Sequence, residues 1–261
     1  FTSIESGCSP LNVSFQNQAL GANSYAWTYG DGASDTLLNP THLYENMTFS
    51  DEVNNLRMIA TSQYGCSDTT EKDITVFAKP DAQFTTDLNS GCHPLPVTFT
   101  NASVIADSCR WSFGDGSPIN DTCFTSRVFT YQTNFSSLPI TRKAELFVFT
   151  DNGCRDTFDI DININPEVIA NFSSLDSGCS PLQVAFQNQS IGANDYAWTF
   201  GDGATDTLVS PVHVYRNTTF VDQVNNMRLI ASSQYGCSDT IEKVITVFAK
   251  PDAQFTTDVT S

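Results

Sequence analysis

The residues of this chain that could do chemistry stand in recurring places. Eight cysteines are present, and six fall in two contexts: Gly-Cys at Cys8, Cys92 and Cys179, and Gly-Cys-x-Asp at Cys66, Cys154 and Cys237. The other two, Cys109 and Cys123, flank Gly114-Asp115-Gly116. Thiols so placed could form disulfides or gather a metal. No Cys-x-x-Cys pair occurs, and His42, His93 and His213 do not cluster in sequence with cysteines, which argues against zinc. An even number of cysteines at repeating positions reads as disulfides, and so as an oxidising, extracellular setting. Asp31, Asp115 and Asp202 each lie between two glycines, with Asp35 and Asp206 close by. Calcium takes about six to eight oxygen ligands, so weak calcium sites at Asp31, Asp35, Asp202 and Asp206 are one expectation. Gly-Asp-Gly is first of all good turn chemistry, and the turn reading is preferred; no other cofactor is implied. His42 and His213 have no recognisable nucleophile partner and read as structural. No G-x-S-x-G, H-E-x-x-H or phosphate-binding loop occurs, and the chain reads as a non-enzyme.

The elements that position these residues repeat as well. Residues 1–90 align without a gap to residues 172–261, with about 65 of the 90 positions identical. Cys8 maps to Cys179, Trp27 to Trp198, and Cys66 to Cys237. A weaker copy lies between them, with Trp111 in Trp-Ser-Phe-Gly-Asp-Gly. Repetition at a fixed spacing means a tandem array of one unit. The expected domains are 1–79, 80–166 (the divergent copy) and 167–250. Residues 251–261 match residues 80–90 and read as the first strand of a further unit, so the chain is expected to be a piece of a longer protein.

Within 261 residues the hydrophobic share is 40% and the charged share 16%, the balance of a folded rather than a disordered chain. Twelve Lys and Arg against 29 Asp and Glu leave a net charge of -17, which argues against nucleic acid and anionic membranes, since both need a basic patch. No apolar run approaches the ~20 residues of a membrane helix.

Apolar residues alternate in Leu11-Asn12-Val13-Ser14-Phe15 and Asp73-Ile74-Thr75-Val76-Phe77, and turn residues separate such runs at 21–23, 30–32, 39–40 and 64–65. Short strands divided by frequent turns predict an all-β chain of three immunoglobulin-like sandwiches. Strand A is expected near Phe1, Phe84 and Phe172, and strand B near Phe15, Phe99 and Phe186. Strand C carries Trp27, Trp111 and Trp198, which are expected to fill the cores rather than serve as ligand platforms. The connections at 78–81 and 165–167 are short and contain proline, predicting a semi-rigid extended rod.

The string Tyr25-Ala26-Trp27-Thr28-Tyr29-Gly30-Asp31-Gly32 with Asn39-Pro40-Thr41-His42-Leu43-Tyr44 resembles the signature of PKD domains. It recurs at Tyr196 to Gly203 and at Pro211-Val212-His213-Val214-Tyr215. The Gly-Cys-x-Pro and Tyr-Gly-Cys-x-Asp additions resemble PKD repeats in giant surface proteins of gliding and predatory Bacteroidota, exported by the type IX system. The resemblance implies a stalk or fibre segment of an extracellular adhesin or appendage for attachment, gliding or prey capture. The alternative is an accessory polysaccharide- or protein-binding module of a secreted hydrolase. Implied partners are flanking repeats and identical chains in a fibre, with neither nucleic acid nor direct membrane insertion. Eight Asn-x-Ser/Thr sequons occur, at Asn12, Asn46, Asn101, Asn120, Asn134, Asn171, Asn188 and Asn217, and matter only in a host that reads them. Asp-Thr-Leu at 35–37 and 206–208 and Asp-Thr-Ile at 239–241 resemble an O-glycan acceptor motif of Bacteroidota.

Cys109 and Cys123 are expected to bridge across the C–C′ hairpin. For the recurring cysteines, strands B and F run the same way in such a sandwich, which sets Cys8 and Cys66 a strand length apart, beyond the ~7 Å limit of a bridge. The favoured scheme therefore joins neighbours, Cys8 to Cys154 and Cys92 to Cys237, with Cys66 and Cys179 bridging to flanking domains. The alternative keeps bridges inside each domain: Cys8–Cys66, Cys92–Cys154 and Cys179–Cys237.

Overall fold

The computed structural model describes residues 1–118, 121–132 and 138–256. By internal contacts the chain divides into two units: residues 1–87 with 97–129 and 142–161, and residues 88–96 with 130–141 and 162–261. No helix occurs among the described residues, and so none is long and apolar enough to cross a membrane.

In the first unit the opening repeat supplies β1 (Ser6–Cys8), β2 (Leu11–Ser14), β3 (Ser24–Thr28), β4 (Ser34–Asp35), β5 (Thr41–Tyr44), β6 (Glu52–Thr61) and β7 (Ser67–Phe77). Five of them form one sheet in the order β1-β7-β6-β3-β4, and β2 pairs with β5 in a second. The alternation seen in the sequence becomes burial: Leu11, Val13 and Phe15 point inward while Asn12 and Ser14 face solvent. The two inner faces close on Trp27, Leu56, Met58, Ile74 and Val76. Near Phe1 only a bridge between Thr2 and Gln16 forms, rather than the expected strand.

The middle repeat follows with β8 (Phe84–Thr86), β9 (Ser90–Cys92), β10 (Leu95–Asn101), β11 (Ser108–Ser112), β12 (Ser126–Tyr131), β13 (Ile140–Phe149) and β14 (Arg155–Asn165). Within the first unit β10 pairs with β8 and β11 with β13, both antiparallel. Phe84, Phe99, Phe113, Phe124 and Phe158 surround Trp111 here, directly or through one another.

The second unit holds the last repeat: β15 (Phe172–Ser173), β16 (Ser177–Cys179), β17 (Leu182–Ala185), β18 (Gln187–Asn188), β19 (Asp195–Thr199), β20 (Thr205–Asp206), β21 (Val212–Tyr215), β22 (Gln223–Ser232) and β23 (Ser238–Phe248). The sheet order β16-β23-β22-β19-β20 reproduces that of the first repeat. The strand sets and their two-sheet arrangement make the chain a tandem of immunoglobulin-like sandwiches. In every repeat the short strand ending in the first cysteine runs parallel to the last strand: Cys8 stands opposite Phe77, Cys92 opposite Asn165 and Cys179 opposite Phe248. That pairing decides the cysteine geometry.

Candidate functional site

The Gly-Asp-Gly turn leaves β3 with Gly30 at φ 88°, where an added Cβ would lie 2.6 Å from the Asn55 nitrogen, so only glycine fits. The turn delivers Asp31. Its Oδ1 accepts the Ala33 N–H at 3.0 Å, and its Oδ2 lies 2.6 Å from His42 Nε2. The His42 ring stacks on Tyr29 with centroids 4.0 Å apart, and meets Tyr44 edge-on at 4.6 Å. Tyr44 in turn donates to the Tyr29 carbonyl at 3.0 Å. The third repeat rebuilds the set with Asp202–His213 at 2.7 Å and His213 stacked 4.2 Å from Phe200. In the middle repeat, which has no such histidine, Phe129 stacks on Phe113 at 4.0 Å. A phenyl ring fills the same slot, so the imidazole works here as a packed ring with a polar edge.

The acidic side chains face their own backbone. Asp35 Oδ1 accepts the N–H groups of Thr36 and Leu37 at 2.6 and 2.8 Å, and Asp206 Oδ1 does the same for Thr207 and Leu208. Asp115 Oδ1 takes Ser117 N–H at 3.0 Å. Among the described residues no group of three or more His, Cys, Asp or Glu side chains gathers as a metal would require. At Asp31, Asp35, Asp202 and Asp206 a carboxylate oxygen caps its own turn.

Partial burial pushes the Asp31 and Asp202 carboxyls up, but the histidine and the turn N–H outweigh it, and both settle below the ordinary carboxylate value. Burial, with Asp35 and Asp31 nearby, raises the Tyr29 hydroxyl to about 12. A carboxylate whose folded pKa is depressed stabilises the fold above its unfolded value, ~3.9 for Asp, and loses that contribution as pH falls through the lower folded value. The double substitution Asp31→Asn with Asp202→Asn is therefore expected to lower the melting temperature at pH 6 to 7. The gap from wild type should narrow as pH falls through the lowered folded value of the two carboxyls. Thermal melts across this range check it, and a gap that stays constant into acid would refute it.

The cysteines form the second constellation. Cys8 is bonded to Cys154, with Cα atoms 5.5 Å apart, and Cys92 to Cys237, with Cα atoms 5.6 Å apart. Cys109 is bonded to Cys123 across the Gly-Asp-Gly turn, at a Cα separation of 4.9 Å. Cys66 and Cys179 are free and exposed. The domain-internal alternatives Cys8–Cys66, Cys92–Cys154 and Cys179–Cys237 are not formed. The reason is the parallel pairing: Cys8 sits at the Phe77 end of β7, whereas Cys66 precedes Ser67 at its other end, ten residues or roughly 33 Å away.

Each bonded junction carries a second, polar fastening that the cysteine pattern did not reveal. Asp156, two residues past Cys154, accepts the Ala82 N–H at 3.0 Å and pairs with Lys79 at 2.8 Å. Asp239, two residues past Cys237, accepts the Ala170 N–H at 2.8 Å. Val168, Ala170, Ala231 and Cys237 are buried together there. The aspartate of Gly-Cys-x-Asp was the available signal; its backbone partner was not visible in the sequence.

Trp27, Trp111 and Trp198 are no more than 1% exposed, as core rather than ligand surface. Of the sequons, Asn46 and Asn217 are buried, and each Nδ2 donates two backbone hydrogen bonds, Asn46 to Ser50 and Val76, Asn217 to Val221 and Val247. Neither amide is open to a glycan. Asn12 and Asn171 are exposed, as are Thr36, Thr207 and Thr240 of the O-glycan-like motifs. Asn120 and Asn134 lie outside the described residues.

No family model and no curated protein matches the chain. Among solved structures, it is similar to the PKD1 domain of Vibrio anguillarum Epp, at 22% identity over 33% of this chain and 99% of that one, with a TM-score of 0.28. It is also similar to the PKD1 domain of the Vibrio cholerae metalloprotease PrtV, at 28% identity, 31% and 98% coverage and a TM-score of 0.26. The titin I-band fragment I67-I69 matches over 95% of this chain and 96% of its own, at 10% identity and a TM-score of 0.46.

Proposed function

We propose that the chain is a structural stalk segment of a large extracellular repeat protein, a surface adhesin or filamentous appendage of the type IX-secreted kind that its repeats resemble. The observation that carries this reading is the doubly fastened junction: Cys8–Cys154 with Asp156 holding Lys79 and Ala82, and Cys92–Cys237 with Asp239 holding Ala170. A lone binding module gains nothing from covalent bonds between repeats, whereas a load-bearing array gains resistance to bending and separation. Disulfides favour an extracellular location. The charge of -17 disfavours nucleic acid and anionic lipid as partners and leaves flanking repeats and like chains as the expected ones. Asp31 and His42, the pair that could do acid–base chemistry, are committed to a turn and a ring stack, so the segment is expected to have no turnover and to need no cofactor.

The test is small-angle scattering of the oxidised chain beside the variant carrying Cys8→Ser and Cys154→Ser. The stalk reading expects a narrow distance distribution that broadens in the variant while the β-sheet circular dichroism is unchanged. An unchanged distribution, together with micromolar retention on chitin or collagen abolished by one surface substitution, would favour the hydrolase-accessory reading instead.

A further inference from the structure

The middle repeat differs from the other two on the outer face of one sheet. Along β11 and β13 the alternation sends Cys109, Trp111, Leu146 and Val148 inward, where all are buried. The residues between them point out, with Arg110 opposite Phe147 and Ser108 opposite Phe149. On the neighbouring strand β14, Arg155 and Thr157 are exposed. Arg110, Phe147, Phe149, Arg155 and Thr157 line an open cleft of about 600 Å³ in the first unit, within the ~300–1,000 Å³ range of small-ligand sites. Asp156 borders it too, but its carboxylate is already taken by Lys79 and the Ala82 N–H.

The sandwich itself does not require these side chains. At the same register the first repeat has Ala26 opposite Ile59 and Ser24 opposite Thr61. The third has Ala197 opposite Ile230 and Asp195 opposite Ser232. Ser67 and Ser238 follow their cysteines where Arg155 follows Cys154. The threonine alone is common, as Thr69, Thr157 and Thr240. The middle repeat therefore turns two half-buried phenyl rings toward water and sets beside them two of the seven arginines of a chain whose net charge is -17.

The two arginines are held differently. Asp121 Oδ1 accepts from Arg110 Nε at 2.9 Å. Asp121 lies two residues before Cys123, so the Cys109–Cys123 bond fixes the segment that steadies Arg110. Arg155 has no ion-pair partner among the described residues. A guanidinium with unused N–H groups fits a carboxylate in a two-point contact. A phenyl face beside it offers apolar area to the C–H face of a sugar ring. β13, which carries both rings, lies between β11 and β14 in the sheet, so no free backbone edge is offered there to an extended peptide.

We propose that this cleft binds an acidic saccharide. The ring of a uronic acid lies on Phe147 and Phe149, Arg155 and Arg110 take its carboxylate, and Thr157 bonds a ring hydroxyl. The negative charge of the whole chain repels a dense polyanion, so the fitting polymer alternates uronic acid with neutral sugar. The inference is independent of the stalk reading: scattering tests the junction, sugar binding tests this face, and either can fail alone.

The whole oxidised protein, isotopically labelled, is titrated with a hexasaccharide of alternating glucuronic acid and N-acetylglucosamine and followed by nuclear magnetic resonance. Binding with a Kd of ~1 mM or tighter is expected, with amide shifts centred on β11, β13 and β14. Arg155→Ala and Phe149→Ser should each weaken it at least tenfold while the circular dichroism stays unchanged. Arg228→Ala, at an exposed arginine of the third repeat, should leave it unaltered. The same saccharide with its carboxylates reduced to alcohols should bind at least tenfold more weakly. Absent binding, equal binding of the reduced saccharide, indifference to Arg155→Ala, or shifts centred elsewhere would overturn the proposal. So would a glutamate-rich peptide that shifts these amides where the saccharide does not.

Discussion

Pulled from its first residue to its last with the bridges intact, the chain is expected to extend to only roughly 290 Å. With them reduced it should reach roughly 900 Å, at ~3.5 Å per extended residue. The difference follows from how the bonds interlock. Cys8–Cys154 and Cys92–Cys237 overlap along the sequence, and Cys109–Cys123 lies inside both loops. The shortest covalent path runs from Phe1 to Cys8, crosses to Cys154, and turns back to Cys123. It then crosses to Cys109, turns back again to Cys92, crosses to Cys237 and continues to Ser261. About 80 of the 261 residues carry the load, and the rest cannot be drawn out until a bond breaks. Single-molecule force spectroscopy with and without reductant measures this. The variant with Cys8→Ser and Cys154→Ser makes the test specific. Interlocked pairing predicts roughly 410 Å for it, whereas repeat-internal pairing would leave only the Cys179–Cys237 and Cys109–Cys123 loops and predict roughly 670 Å. The longer value would sink the junction assignment. The mechanical consequence is that reduction, rather than force alone, controls how far such a segment can yield.

How much of this was legible in the sequence depends on the length scale of the interaction. Leu11-Asn12-Val13-Ser14-Phe15 alternates because a half-buried strand must, and that local rule predicted an all-β chain. Trp27 and Trp198 read as core because a large ring on the central strand has nowhere else to go. The opposition of Cys109 and Cys123 needed only a turn between them. The bonds at Cys154 and Cys237 needed one topological fact, that the two cysteines of a repeat sit at far ends of its strands, together with a neighbour close enough to bond. What could not be read was side-chain commitment. Asp31 reads as a turn residue from its two glycines, but nothing local shows that His42, eleven residues on, reaches it from the facing sheet. Asn46 looks like a glycan acceptor until Val76, thirty residues away, takes its amide proton.

The three tryptophans are expected to respond differently to the same substitutions. Trp198→Ala should cost its repeat roughly 3–5 kcal/mol, as large core aromatics do, because the ring packs on Phe172 and Phe186 at centroid distances of 5.4 and 5.5 Å with no room for solvent. Trp27→Ala should match it, since Phe1 and Phe15 stand 5.4 and 5.6 Å from that ring. Replacement by phenylalanine separates the repeats. Trp27 Nε1 donates to the Leu37 carbonyl and Trp198 Nε1 to the Leu208 carbonyl, both at 2.9 Å. Phenylalanine there gives up a hydrogen bond worth about 1 kcal/mol in addition to lost volume. Trp111 Nε1 is buried without a partner among the described residues. Removing an unsatisfied buried donor recovers its desolvation cost, about 1–3 kcal/mol, which offsets part of the smaller ring's lost packing. Trp111→Phe is thus expected to be the mildest of the three by at least about 1 kcal/mol. Guanidinium unfolding of the three variants, followed by far-ultraviolet circular dichroism, measures the order. Equal losses at all three positions would mean that the indole nitrogen contributes nothing, and that ring volume alone sets how each repeat is held.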